Sequence, residues 1–196
     1  MNKIEPGPLF TRPPLFRAAS INSFDRPYLI DEALGGGLVQ HGRGVYSLPS
    51  AKITNTEALF FRAPHAIAAL ETALWLHQLI GTEPSPIWIA ISQDDRRPRV
   101  SPLRIETLRW SQPPADADVV TCQRTEEGPS VRCFSAVKTV VDLLRARNRV
   151  GARRALSLVD DLLDGGLDET QLLECADRNR ATYPVRRYLA RRHKRR

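Results

Sequence analysis

The chain is poor in cysteine. Of 196 residues only Cys122, Cys133 and Cys175 carry a thiol, and no two of them stand in a CxxC spacing. An odd, unpatterned set does not make a disulfide framework, so buried thiols in a reducing compartment are expected, with Cys122 and Cys133 on neighbouring strands. No apolar run approaches the roughly 18 residues that a membrane-spanning helix requires. The opening MNKIEPGPLFTRPPLF holds too many prolines and too little continuous apolar sequence for a signal peptide, and a cytoplasmic protein is expected. Internal repeats are missing. Gly35-Gly36-Gly37 lacks the Gly-Lys-Ser/Thr that completes a phosphate-binding loop. The histidines at 41, 65, 77 and 193 are widely spaced and show no metal-ligand pattern, so neither a metal nor a cofactor is expected. Ser135 and Lys138 spell SxxK, but the SDN and KTG elements that accompany a lysine-activated serine do not occur, and a helix cap explains Ser135 more simply. Carboxylates gather at Asp94-Asp95 and at Asp160-Asp161 with Asp164, yet no ExK follows to complete the commonest metal-dependent nuclease pattern. The expectation is a protein without catalysis. A nucleic-acid-processing enzyme using Asp94, Asp95 or Glu106 is the weaker alternative.

What the chain does have is apolar content, 42%, enough for one sizeable domain or a small module plus a medium one. It also has charge in one place. The formal net charge is +7, and the last eleven residues, RRYLARRHKRR, hold seven of the 29 Lys/Arg and no acid. Subtracting those seven leaves 22 basic against 22 acidic side chains, so all the excess lies in this tail. Such a tail suits a phosphate-binding arm, because each neutralised phosphate releases condensed counterions. A solvated tail that serves only solubility fits equally well.

Along the chain, residues 1–14 read as an extended leader, since Pro6, Pro8, Pro13 and Pro14 block a helix. Residues 15–50 read as a small module. It has a short helical turn over Leu15–Ala19 and a helix from Arg26 to Leu34, ended by three glycines. A β-hairpin over Leu38–Leu48 follows, with His41-Gly42-Arg43-Gly44 at its tip. A short helix followed at once by a glycine-rich hairpin with a basic tip is the second half of a winged helix-turn-helix, although a plain hairpin on a small α+β unit has the same spacing. Next come helices over Asn55–Arg62 and Ile67–Leu79. Four strands follow, at Ile87–Ile91, Leu103–Trp110, Val119–Cys122 and Val131–Phe134. Ser135 then caps a helix with Val137, Val140, Val141 and Leu144 on one face, broken near Asn148–Gly151. A second helix carries Ala152, Ala155, Leu156, Val159 and Leu163 and stops at Gly165-Gly166. Asp168 caps a third, and Thr182 with Pro184 starts a fourth. Four strands followed by helices predict an α+β protein: an abbreviated amino-terminal winged helix-turn-helix, then a mixed-sheet domain with helices on one face and a carboxy-terminal helical half.

These segments together resemble the AbiEi family of antitoxins. HAIAALETALWLHQLIGTEPSPIWIAISQDDRRPRV is similar to the family's helix-then-strand opening. VRCFSAVKTVVDLLRARNRVGARRALSLVDDLLDGGLDETQLLECADRNRATYPVRRYLA is similar to its helical half, and GGLVQHGRGVYSLP to its wing. The resemblance runs from about Phe16 to Ala190. Its sharpest parts are Lys138-Thr139-Val140-Val141-Asp142, then Arg147-Asn148 and Val150-Gly151, and the Gly42–Tyr46 wing. It implies a bacterial type IV toxin–antitoxin component, dividing as leader 1–14, DNA-binding module 15–50, antitoxin domain 51–185 and basic tail 186–196. The implied partners are double-stranded DNA of the operon's own promoter and a nucleotidyltransferase-like toxin, countered without a stable complex. DNA would be met by Arg26, Tyr28, Gln40, His41 and Arg43, and by Arg186, Arg187, Arg191, Arg192, Lys194, Arg195 and Arg196 of the tail. No role transfers to Lys138, Thr139, Asp142, Arg147 and Asn148. A DNA-binding regulator with no cognate toxin is the alternative. Residues 1–50 hold five Lys/Arg against four acids, so the module itself brings little charge to DNA.

Overall fold

The computed structural model describes residues 15–21, 26–42, 44–100, 102–126 and 128–195. Arg43, Arg196 and the expected leader lie outside them. The chain is mixed α+β with two sheets. In the amino-terminal one, β1 (Leu15–Arg17), β2 (Val39–Gln40) and β3 (Val45–Ser47) are ordered β1-β3-β2 and antiparallel throughout. The segment expected to open with a helical turn is thus a strand, and only Ala18–Ser20 turn, as 3-10. The reason is alternation. Leu15 packs with Val45, Ala51, Ile53 and Ala58 on one face, whereas Phe16 packs with Leu29, Leu38 and Tyr46 on the other. Phe16 and Tyr46 are register partners with their rings stacked at 6.1 Å. Helix α1 (Tyr28–Leu34) covers the Phe16 face, and α2 (Asn55–Arg62) covers the Leu15 face. A complete capping box starts α2: the Thr54 hydroxyl accepts from the Glu57 amide at 3.2 Å, and Glu57 accepts from the Thr54 amide at 2.9 Å.

The second sheet has five strands, one more than the sequence suggests. Its order is β6-β5-β4-β8-β7, with β4 at Ile67–Ala68, β5 at Ile87–Ser92, β6 at Ile105–Trp110, β7 at Val119–Cys122 and β8 at Val131–Phe134. The extra strand is cut from the expected 67–79 helix, whose remainder, α3, spans Leu70–Leu76. Ile67 and Ala68 have no exposed surface; they pair antiparallel with Ala90 and Ile89 of β5, and Ala68 pairs parallel with Cys133 of β8. A helix-like run of small apolar residues becomes strand because both flanking strands supply the hydrogen bonds. With β5–β6 parallel and β7–β8 antiparallel, the sheet is mixed, as expected.

Helices cover both faces of this sheet rather than one. Ile87, Ile89, Ile91, Ala68, Val131 and Cys133 face α2 and part of α3. Ile67, Trp88, Ala90 and Phe134 face the helical half: α4 (Ala136–Val150), α5 (Ala152–Asp164), α6 (Glu169–Arg178) and α7 (Thr182–His193). Both faces are apolar because the strands are flanked on both sides, and each buried aliphatic side chain contributes roughly 1.5–3 kcal/mol. Ser135 caps α4, accepting from the Lys138 amide at 3.2 Å. The joint to α5 is shorter than the four residues expected: α4 runs to Val150 and Gly151 alone turns the chain, with φ at 100°. Gly166, at φ 94°, ends α5 with the paired carbonyl bonds expected there. Asp168 caps α6 through the Thr170 amide at 2.8 Å. The basic tail is largely helical, residues 186–193 forming most of α7. Among the described residues no helix is long and apolar enough to cross a membrane.

Arg180 follows α6 in the left-handed region, φ 53°, a position that glycine usually fills. The Ala181 amide nevertheless closes the terminating bond to the Ala176 carbonyl at 2.7 Å. A side chain there costs about 1 kcal/mol. Arg180→Gly should therefore raise the free energy of unfolding by about 0.5–1 kcal/mol in urea titration.

Candidate nucleic-acid interface

The amino-terminal residues expected at DNA divide into outward and inward sets. Tyr28 at the start of α1 is 59% exposed, and Gln40 on β2 is exposed, its amide 3.5 Å from the Tyr46 hydroxyl. Arg26 is exposed in the turn before α1 and donates to the Ile21 carbonyl at 3.1 Å. His41 is different. Its ring is buried and its Nε2 lies 2.8 Å from the Ser47 hydroxyl, so it ties the two arms of the hairpin together. Burial holds its pKa below the ordinary 6.5, against a hydrogen bond to Asn55 that raises it.

The residues of the Lys138–Asn148 motif also divide. Lys138 and Asp142, one helical turn apart, form a buried ion pair, with Nζ 2.6 Å from both carboxylate oxygens and 4.6 Å from the centre of the Phe134 ring. Burial raises the Asp142 pKa, and the charge of Lys138 works against that rise. Thr139 has no exposed surface. Arg147 and Asn148, by contrast, are exposed at the last turns of α4.

The structure brings Arg147 to the basic tail. Arg187, Arg191 and Arg195 are spaced four apart along and just beyond α7, and with Arg147 they line a groove of about 320 Å³ floored by Leu144, Leu156 and Tyr188. Arg186, Arg187, Arg191, Lys194 and Arg195 are exposed. Arg192 is not. It is 8% exposed, and its guanidinium reaches Asp160 and Asp164 of α5, each at 2.6 Å, while the Tyr188 hydroxyl donates to the same Asp160. One arginine of the tail thus holds α7 onto α5 and leaves its neighbours to face solvent.

A larger cleft, about 730 Å³, opens between the end of β6, the following loop and helices α4 and α6. Arg109, Lys138, Arg145, Arg149, Arg178 and Arg180 line it, with Trp110, against two carboxylates, Asp118 and Asp142. Asp118 is buried and receives Arg178 at 3.1 Å, the Asn179 amide at 2.7 Å and the Cys175 thiol at 3.5 Å, which anchors the end of α6 beneath the cleft. Burial, then the charge of Asp118, pushes the Cys175 thiol up to about 12. Arg149 lies 5.3 Å from the centre of the Trp88 ring and 3.5 Å from Glu106. Cations grouped around a half-buried tryptophan suit an anionic ligand with an aromatic base. The sequence did not point to this cleft, because its arginines come from β6, α4, the last residue of α6 and the turn after it. Arg178-Asn179-Arg180 at a helix end was the one local signal.

His77, Cys122 and Cys133 also meet, although the histidine spacing suggested no such group. Their donor atoms all lie within 4.8 Å of one another. A hydrogen bond from Cys133, supported by His77, brings the Cys122 thiol down to about 5, while the same bond and burial push Cys133 up. Asp94 and Asp95 lie in the loop after β5, where Asp95 accepts from the Ser92 amide at 3.2 Å, and Glu106 pairs with Arg149.

In comparison with known proteins the chain matches no family model and no curated sequence.

Two expectations follow. Lys138→Met leaves the Asp142 charge buried and unpaired and should cost about 3–5 kcal/mol, whereas Lys138→Met combined with Asp142→Leu should restore most of it in a denaturant double-mutant cycle. Folded His41 binds protons less readily than unfolded His41. Stability should therefore fall as pH drops below 6.5, and His41→Asn should flatten that acid limb in thermal melts from pH 7 to 5.

Proposed function

We propose that the chain is an AbiEi-like antitoxin and autorepressor that binds promoter DNA and counters a nucleotidyltransferase-like toxin without catalysis of its own. The observation that carries the DNA-binding part is the arginine groove, where Arg147 of the family-like motif and Arg187, Arg191 and Arg195 of the tail line one surface. Regular spacing along a helix lets successive cations meet successive phosphates. The strand order β1-β3-β2, with α1 immediately before the hairpin, supports an abbreviated winged module. In that arrangement α1 would present Tyr28 to the major groove and the hairpin would bring Gln40 to the backbone. His41 would brace the hairpin instead of touching DNA, and Arg192 would brace α7. The small charge of the module makes the tail its necessary companion on DNA.

Arg187→Ala combined with Arg191→Ala should weaken binding to the promoter fragment about equally across unrelated DNA sequences. It should also reduce the slope of log affinity against log salt by about two, one for each lost phosphate contact. An unchanged slope in fluorescence anisotropy would remove the groove from the DNA interface. Rescue of growth on co-expression with a nucleotidyltransferase toxin from the same operon tests the antitoxin part. DNA binding without rescue would leave a regulator that has no cognate toxin.

A further inference from the structure

Three ligand side chains from three elements converge on the face of the second sheet that packs against α3. His77 follows the last turn of α3, Cys122 ends β7 and Cys133 lies within β8. The His77 Nδ1 is 3.6 Å from the Cys122 sulfur, and the Cys133 sulfur is 3.7 Å from His77 Nε2. Nε2 also lies 2.8 Å from the Phe134 carbonyl, which can only accept, so Nε2 carries a hydrogen and donates it there. In the neutral ring, the form that binds a metal, the Nδ1 lone pair then faces Cys122. It is the arrangement by which a metal-binding imidazole is oriented, its second ring nitrogen held by a backbone carbonyl.

Two uses of a paired thiol compete at this point, a disulfide and a shared metal, and geometry separates them. In the β7–β8 register Cys122 pairs with Val131 and Cys133 pairs with Val120, so the cysteines are diagonal neighbours and not direct partners. Diagonal positions stand about 7–8 Å apart, beyond the roughly 4.4–6.8 Å between α-carbons that a disulfide spans. A metal relaxes that demand. With bonds of about 2.3 Å to sulfur and 2.0–2.1 Å to nitrogen, the nitrogen–sulfur edge of a tetrahedral site is about 3.6 Å. That is the spacing already present between His77 Nδ1 and the Cys122 sulfur, and one donor atom from each of the three residues lies within 4.8 Å of the others.

We propose that His77 Nδ1, Cys122 Sγ and Cys133 Sγ form a zinc site whose fourth position is open to water. Two thiolates and one neutral imidazole select a borderline-soft cation over Mg2+ or Ca2+, which take oxygen ligands. Zn2+ with two thiolates is electrically neutral, which a partly buried site accommodates without a further counter-charge. His77 and Cys122 are only half-buried, which gives the ion an entry and the fourth ligand a place. The turn after α3 is shaped to present His77. Gln78 adopts the left-handed conformation, φ 61°, and the Leu79 amide closes onto the Leu74 carbonyl at 2.9 Å. Bound zinc ties the end of α3 to β7 and β8, the last two strands of the sheet.

The test is titration of the reduced, full-length chain with Co2+, read by absorbance, followed by displacement with Zn2+. One equivalent should give thiolate-to-cobalt charge-transfer bands together with the visible bands of tetrahedral cobalt, and Zn2+ should abolish both. Cys122→Ser should lower the charge-transfer intensity to about half, since one of two thiolates is lost. His77→Gln should keep the charge-transfer band and weaken binding at least about tenfold. Saturating Zn2+ should also raise the melting temperature of the wild-type chain and not that of Cys122→Ser. No charge-transfer band in the reduced wild-type chain, or the same band in the Cys122→Ser/Cys133→Ala double variant, overturns the proposal. The wild-type titration decides it even if a substitution at the buried Cys133 prevents folding.

Discussion

The second sheet depends on a strand of two residues. Ile67 and Ala68 are completely buried, and they join a parallel pair, β5 and β6, to an antiparallel pair, β7 and β8. Without their hydrogen bonds the two pairs would be separate ribbons, each with an exposed edge in its middle, and neither would offer a continuous floor to the helices. Both side chains belong to the core, Ile67 on the face of the helical half and Ala68 on the face of α2. A polar substitution at either would disrupt pairing and packing together.

What surrounds this strand is placed by it. The chain leaves β4 directly into α3, and α3 delivers His77 to the β7–β8 edge. On the other side β8 passes through the Ser135 cap into α4, whose first two turns set the Lys138–Asp142 pair at the base of the arginine-lined cleft. Asp118, at the entrance to β7, binds the far end of α6. Buried polar ties therefore sit where strands hand over to helices, and the exposed cations are carried on the outer turns beyond them. The chain spends one arginine, Arg192, to fix α7, and that fixes the direction in which Arg187 and Arg191 project from the same helix.

The features legible in the sequence are those made by near neighbours. The caps Ser135 and Asp168 and the glycines after α5 act over a few residues, and the expected helices form where they direct. β8 and β5 were visible because β-branched and aromatic residues run together between turn residues. The strand at Ile67–Ala68 was not, since HAIAALETALWL carries a helical period throughout and only the partners across the sheet override it. Leu15 and Phe16 misled in the same way, because alternate burial over two residues is too short to read as a period. His77 stands 45 residues from Cys122 in sequence, so no spacing rule for metal ligands could join them. Nothing local marks Arg192 as the buried member of a basic string, or tells that Asp160 and Asp164 receive it.

On the proposed reading, the hairpin module and the carboxy-terminal helix both contact the promoter DNA, the module supplying shape and the helix supplying charge. Hydrogen exchange of the full-length chain with and without its promoter fragment tests this most directly. The account predicts slowed exchange on binding in two places at once, residues 28–47 and residues 182–195, with the β4 and β5 core unchanged. Protection confined to one of the two segments, or its absence from both, would contradict it.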